Sequence, residues 1–287
     1  MARQALRYAV RVSDMAELPT PSPVQSPRGE VPHWSPMAST LIYGDTEAVL
    51  VDPPLAAYQA ESLAEWVAAF ERPLTAIYST HGHGDHWYGT STLLERFPNA
   101  VPYATDGVIA EMHKGTPGGQ PSALFASLFP GQLPDTRVTA RPLPDGGLTV
   151  DGHELRAVEV GHSDTDQSTV LHVPSLGLVV AGDVIYDNVH QYLGESADGG
   201  LEAWLRAIDV VESLEPRSVV AGHKDENAGR GNSPVIIDET RQYLLAAAEI
   251  LAGEPTRLSF FDQVLARFPD RVNPTTVWLS ALRQLPA

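Results

Sequence analysis

The segment Thr80-His81-Gly82-His83-Gly84-Asp85-His86 places four metal-binding side chains, His81, His83, Asp85 and His86, directly after an apolar stretch ending at Ser79. In an extended chain alternate side chains share a face, so His81 and His83 can point at one ion. Gly82 and Gly84 let the backbone turn tightly, so that Asp85 and His86 face elsewhere and suit a second ion. Chance assembly of this pattern is expected in roughly one in a thousand chains of such composition, which makes a plain His-rich surface loop the weaker reading. Three more residues of the same chemistry sit where apolar runs end in glycine. They are His162 in Val160-Gly161-His162, Asp183 in Val180-Ala181-Gly182-Asp183, and His223 in Val220-Ala221-Gly222-His223. Singly, each is as well explained by a strand-end turn or a hydrogen-bonded core histidine. Together with the first motif they argue for one centre. With no cysteine in the chain, the ligands are nitrogen and oxygen only, a set that suits zinc and also admits manganese, iron or cobalt.

The elements that must position these residues follow from periodicity. Leu6–Val12 alternates as a strand, and the Pro- and Ser-rich stretch Glu17–Pro36 reads as an extended loop. Short strands are expected at 39–43 and 48–51, a helix over Ala57–Phe70, and a buried strand at Leu74–Ser79. Trp87–Phe97 reads as a helix and Ala100–Ala104 as a strand. The Gly- and Pro-rich segment 113–136 reads as a loop or short helical insertion, a candidate lid. Strands follow at 147–150, 154–160, 168–173 and 178–181, then an amphipathic helix at Leu201–Leu214 and a strand at Ser218–Ala221. Three helical stretches close the chain at Val235–Leu251, Arg257–Phe268 and Thr275–Leu285. Two strand-rich halves separated by helices imply an α+β fold, a four-layer αββα sandwich. We expect one domain over 1–287, with an N-terminal extension of about 1–38 and a C-terminal helical segment of about 234–287.

The ordered set His81, His83, Asp85, His86, His162, Asp183 and His223 resembles the metal-binding motifs of the metallo-β-lactamase superfamily, over a stretch from about Ser39 to His223. Asp52-Pro53-Pro54 departs from the Thr/Ser-Gly turn common in that family, a matter of backbone shape and not of ligation. The resemblance implies an αββα sandwich with two Zn2+ at one edge of the sheets. One ion would take His81, His83 and His162, the other Asp85, His86 and His223, with Asp183 and a hydroxide bridging them. It implies a hydrolase in which the bridging hydroxide attacks a carbonyl. Asp183 at the bridging position looks more like the glyoxalase-II and lactonase branches than the true β-lactamases, so the expected substrate is a small ester, lactone or thioester. No basic C-terminal cluster suited to a glutathione carboxylate is visible. Lactonase-like members place a Tyr hydroxyl beside the substrate carbonyl, and Tyr186 matches that role; catalysis would rest on Asp85, Asp183 and Tyr186. Trp87, Tyr88 and His190 are further candidate substrate contacts, with core packing or a plain loop the competing explanation for each. Two alternatives stay open. One is a mononuclear iron, persulfide-dioxygenase-like oxidoreductase using His81, His162 and Asp183; the other is a β-lactam-hydrolysing enzyme.

Composition narrows the partners. The chain has 287 residues, 19 Lys+Arg against 36 Asp+Glu and a net charge of −17. Such an acidic surface argues against a nucleic-acid partner, since phosphate neutralisation needs clustered Lys and Arg. No apolar run approaches the roughly 18–20 residues that span a bilayer, and no targeting segment is evident. The expectation is a cytoplasmic enzyme acting on a small molecule. The apolar helices after Val235 can cover the core or a second copy, so a homodimer remains open.

Overall fold

Short Val-, Ile- and Leu-rich strands that are buried on both faces can be shielded only by stacking sheet on sheet with helices outside. The structure, a computed structural model that describes residues 5–116 and 122–286, adopts this arrangement. Pro117, Gly118, Gly119 and Pro121 of the expected insertion lie outside the described residues.

The first sheet contains β1 (Arg7–Ser13), β4 (Met37–Tyr43), β5 (Ala48–Val51), β6 (Leu74–Tyr78), β7 (Val101–Ala104), β8 (Arg141–Pro142), β13 (Tyr186–Asp187) and β15 (His223–Lys224). Their order is β13-β15-β4-β5-β6-β7-β8, with β1 antiparallel on β4. The second sheet contains β9 (Leu148–Val150), β10 (His153–Gly161), β11 (Ser168–Val173), β12 (Leu178–Val180) and β14 (Ser218–Val220), in the order β14-β12-β11-β10-β9. A two-stranded ribbon, β2 (Ala16–Glu17) and β3 (His33–Trp34), interrupts the expected loop over 17–36.

Ile42, Val49, Val51, Ala76 and Tyr78 meet Leu155, Leu171, Val173, Leu178 and Val180 between the sheets. Outside the first sheet, α1 (Ala57–Ala68) and α2 (Thr90–Arg96) cover Leu41, Leu50 and Ile77. Helices α5 (Gly200–Ser213), α6 (Val235–Ala252) and α7 (Arg257–Arg267) pack on Val170, Val179 and Val219 of the second sheet. The result is the α+β, αββα layering that the sequence pattern implies. The remaining helices, α3 (Asp106–Gly115), α4 (Ala123–Leu128) and α8 (Pro274–Gln284), contribute to the rim of the site described below. Among the described residues no helix is long and apolar enough to cross a membrane.

Two local readings change. The helix expected over Trp87–Phe97 starts only at Thr90, because Gly84–His86 first makes one tight 3-10 turn. Helix α3 was not evident from periodicity; Thr105 caps it by accepting from the Val108 amide. Within the N-terminal stretch, β1 runs along β4 from Arg7↔Tyr43 to Ser13↔Met37.

The chain crosses between sheets twice at one edge. It leaves β12 in the second sheet and enters β13 in the first through Gly182–Val184, and leaves β14 for β15 through Gly222. The Gly222 amide donates to the Gly182 carbonyl (2.8 Å) while its own carbonyl accepts from Ala38 (2.8 Å), which ties both crossings to β4. A β-carbon on Gly222 would stand 2.7 Å from the Gly182 carbonyl carbon, so this approach requires glycine. Trp204, fully buried on α5, donates its indole N–H to the Val184 carbonyl (2.9 Å) and braces the first crossing from outside.

Candidate metal centre

Both crossings and the turn after β6 deliver polar side chains to this shared edge. His81, His86 and Asp183 form one group of ligand atoms within 4.8 Å of one another; Asp85, His86 and His223 form a second. A third unites His81 and His83 with Asp164. His162, which the resemblance assigns to that place, is not among them. Its Nδ1 lies 2.7 Å from Asp166 Oδ1 and its Nε2 3.2 Å from Ser196 Oγ. The cause is local: β10 carries a bulge between Glu159 and Gly161, and Gly161 takes φ +84. The hairpin therefore turns His162 aside and brings in Asp164.

The imidazoles share one pattern. His86 donates from Nδ1 to Asp52 Oδ2 (3.1 Å), and His223 from Nδ1 to the Pro36 carbonyl (3.1 Å). His81 donates from Nδ1 to Thr80 Oγ1 (3.1 Å), whose own proton goes to Asp52 (2.7 Å). His83 is reversed, with Nε2 donating to Glu195 Oε1 (3.3 Å). These outer partners assign each tautomer and leave each ring one lone pair directed at the cluster. His81 Nε2, His86 Nε2, Asp164 Oδ2 and Asp183 Oδ1 are buried and make no hydrogen bond. Orphaned acceptors seldom gather in a protein interior, and these four fall into two ligand groups that share His81, each of which a cation would satisfy. The donor set therefore fits divalent metal ions.

The electrostatics agree. At His81 burial, reinforced by His86, holds the pKa well below the ordinary imidazole value. At His83 and His86 burial is outweighed, by Asp164 and Glu195 for the one and Asp183 and Asp52 for the other, and both pKa values stand well above it. His223 is also raised, as Asp183 and Asp85 overcome its burial. Burial would raise Asp183, yet His223 and His86 keep it well below the carboxylate range. The cluster is a set of carboxylates drawing positive charge toward itself.

Three supporting residues escaped the sequence reading. Asp52, taken only as a turn residue, accepts from the Thr80 amide (2.8 Å), the Thr80 hydroxyl and His86. Trp34 donates its indole N–H to Asp85 Oδ2 (3.0 Å). Glu195 holds His83 from outside and accepts from Thr165 Oγ1 (2.7 Å). A strand ending in a buried acid was the available signal for Asp52; the other two come from segments without periodicity.

The cluster floors a pocket with apolar walls from Trp34, Tyr88, Leu124, Phe125 and Leu279. Trp34 and Phe125 meet edge to face at 5.5 Å. Residues of α4 and α8 thus share the wall, and Arg283 is the sole Lys or Arg among the described lining residues. Tyr186 lines the pocket too, its hydroxyl donating to Asp183 Oδ2 at 2.6 Å. Burial, then Asp183 and Asp164, push the Tyr186 pKa well above the phenol value, so it stays a proton donor.

Tyr88 faces the pocket, but two other candidate contacts do not. Trp87 is buried in the core, its indole N–H donating to the Gly82 carbonyl (3.1 Å). His190 turns away toward Tyr243 (3.2 Å). Lys224, next to His223, is buried against Asp187.

Burial, with Arg271 nearby, lowers the His190 pKa from 6.5 to about 3. Below pH 6.5 the unfolded chain therefore binds a proton that the folded chain refuses. The sign is a stability fully present above that pH and lost as pH falls toward 3, at up to ~1.4 kcal/mol per pH unit. His190→Gln is expected to lose less stability than the parent chain between about pH 7 and about pH 4.5. Urea midpoints at the two pH values check this; equal losses in both proteins contradict it.

Known proteins show the same framework. The model of the metallo-beta-lactamase superfamily matches residues 34–223. A metallo-beta-lactamase type 2 from Bacteroides fragilis is 24% identical over 208 residues, which are 68% of this chain and 73% of that protein. A hydroxyacylglutathione hydrolase from Francisella tularensis subsp. holarctica is 39% identical over 67 residues, a stretch that covers 23% of this chain and only 25% of that enzyme. A metallo-beta-lactamase family protein of solved structure from Thermus thermophilus superposes with a TM-score of 0.59 at 19% identity, over 95% of this chain and 92% of its own.

Proposed function

The chain belongs to the metallo-β-lactamase superfamily, and from that premise we propose that it is a dinuclear, zinc-dependent hydrolase of a small ester, lactone or thioester. The observation that carries this reading is the gathering of four orphaned buried ligand atoms beneath an apolar pocket whose lining includes Asp164 and Asp183. In this reading Asp85, His86 and His223 would hold one ion and His81 and His83 would help hold the other, with Asp183 beside His86 and His223. When bound, such ions polarise a carbonyl and lower the pKa of a water to near neutrality.

The chain's own residues do the rest. The apolar walls receive the acyl part of the substrate and exclude water from the reacting carbonyl. Asp52, Glu195 and the Pro36 carbonyl lock the imidazole tautomers, so no ring reorients during turnover. Tyr186 keeps its proton and would turn it from Asp183 to the carbonyl oxygen as charge develops there. Tyr186→Phe is expected to lower kcat on the order of 100-fold with metal content unchanged. Steady-state kinetics beside elemental analysis test this; parallel loss of metal would make Tyr186 a positioning residue for Asp183.

A single cationic side chain in the lining supports an uncharged acyl substrate over a glutathione thioester with its two carboxylates. The match to the Francisella enzyme is too short to weigh against that. β-Lactam hydrolysis is the second reading, favoured by the long match to the Bacteroides protein. The iron oxidoreductase has no comparable support, because His162 stands apart from His81 and Asp183. Residence in the cytoplasm and one domain over 1–287 belong to the same proposal and rest on composition and on the continuous sheets.

A panel of alkyl esters, lactones, thioesters and β-lactams, assayed with metal-loaded protein, decides between them. The highest kcat/KM is expected for an ester, lactone or thioester with an apolar acyl group, abolished by chelation. A β-lactam as the best substrate would install the second reading.

A further inference from the structure

We propose that Asp164, and not His162, is the third protein ligand that joins His81 and His83 around one metal ion, an inference that rests on the metal-centre reading above. Asp164 is 1% exposed. Its Oδ1 accepts from Ser163 Oγ (3.1 Å), whereas its Oδ2 makes no hydrogen bond. That free oxygen lies 2.8 Å from His83 Nδ1 and 3.9 Å from His81 Nε2. Both nitrogens present lone pairs by the tautomers their outer partners impose. With both rings neutral, three lone-pair donors face one another at the pocket floor and repel unless a proton or a metal ion sits among them.

The surrounding loop is built to hold this geometry. Thr165, the next residue, bonds Glu195, and Glu195 fixes the far side of the His83 ring. One short loop thus supplies the carboxylate on the inner face of His83 and orients the acid on its outer face. Ser163 Oγ also lies 2.8 Å from Ser168 Oγ, which itself donates to the Thr165 carbonyl (3.0 Å) and closes the turn.

His162 is engaged elsewhere. Asp166 can only accept, so Nδ1 carries the proton and the Nε2 lone pair faces the Ser196 hydroxyl. Gly200 at the start of α5 makes room for the ring: a β-carbon there would stand 3.0 Å from His162 Nε2. The Asp166–His162–Ser196 array has the order of a hydrolytic triad, but Ser196 is buried, lies outside the pocket lining and has the Ser163 carbonyl (3.2 Å) as a competing acceptor for its one proton. It serves as a clasp for the loop. An aspartate in this place gives the site a third carboxylate beside Asp85 and Asp183, and a harder ligand set than histidine would.

The test is metal binding. Metal-free protein is titrated with Zn2+ against a chromogenic chelator, with bound metal counted by elemental analysis and folding checked by circular dichroism. The parent chain is expected to bind about two ions. Asp164→Asn is expected to weaken one ion by roughly 100-fold or more and leave the other unchanged, and Asp164→His to restore the second. His162→Gln is expected to bind both ions within about threefold of the parent chain. Loss of an ion in His162→Gln with retention of both in Asp164→Asn would overturn the inference. So would retention of both in each variant, which would reduce Asp164 and His83 to a metal-independent ion pair. A parent chain that binds no metal removes the metal-centre reading itself, and the inference falls with it.

Discussion

Asp183→Asn is expected to abolish hydrolysis in practical terms, with kcat/KM falling on the order of 1,000-fold and one or both ions lost from the purified protein. Asp183 is buried at the first sheet crossing, with Oδ1 3.2 Å from His86 Nε2 and Oδ2 3.1 Å from His223 Nε2. It also accepts the Tyr186 hydroxyl. It is the one carboxylate that touches both ligand groups and the candidate proton donor. Removing one charge from a buried charged set costs about 3–5 kcal/mol, and a 1,000-fold loss corresponds to ~4 kcal/mol. Asparagine keeps the shape, so a folding defect is not the cause expected. The measurement is kcat/KM with parallel elemental analysis, and full activity in the variant would show that Asp183 only packs the turn.

Asp52→Asn carries the second large effect, although Asp52 touches no pocket. Its carboxylate accepts from the Thr80 amide, the Thr80 hydroxyl and His86 Nδ1. Its backbone, at φ +54, is held in the left-handed region. A carboxamide cannot accept at both ends. With its oxygen on the Thr80 amide, its NH2 faces His86, which must then accept at Nδ1 and carry its proton on Nε2. A protonated Nε2 cannot bind a cation. Metal affinity is expected to fall toward the upper end of the ~10–100-fold range typical of such outer partners. Stability should drop by about 1–3 kcal/mol for the mismatched buried donors. Competitive metal titration and urea denaturation of the metal-free protein report the two effects separately. An unchanged affinity would limit Asp52 to shaping the turn.

The layered fold was legible because apolar runs of four to seven residues alternated with helical periodicity. Glycines marked the strand ends where Asp183 and His223 emerge. The third position was not legible in the same way. Val160-Gly161-His162 repeats the apolar-glycine-ligand pattern of its neighbours, yet the bulge in β10 and the φ of Gly161 turn the chain so that Asp164 points inward. Periodicity carries no signal for a bulge. Trp87 misled through adjacency: the 3-10 turn at Gly84–His86 directs the next side chain into the core beside α3 and α4. His190 faces Tyr243 on α6, and Lys224 reaches Asp187 across two paired short strands. Trp34 reaches Asp85 from 51 positions away. Each is a long-range contact, set by how the sheets meet and not by neighbours in sequence.

The most direct test of the central claim is the return of activity on metal titration. Metal-free protein is titrated with Zn2+ while hydrolysis of a lactone, a thioester and an alkyl ester is followed. Activity is expected to rise and level off at about two equivalents of metal per chain. A fully loaded protein that hydrolyses none of these substrates, or activity that persists in metal-free protein, would contradict the account.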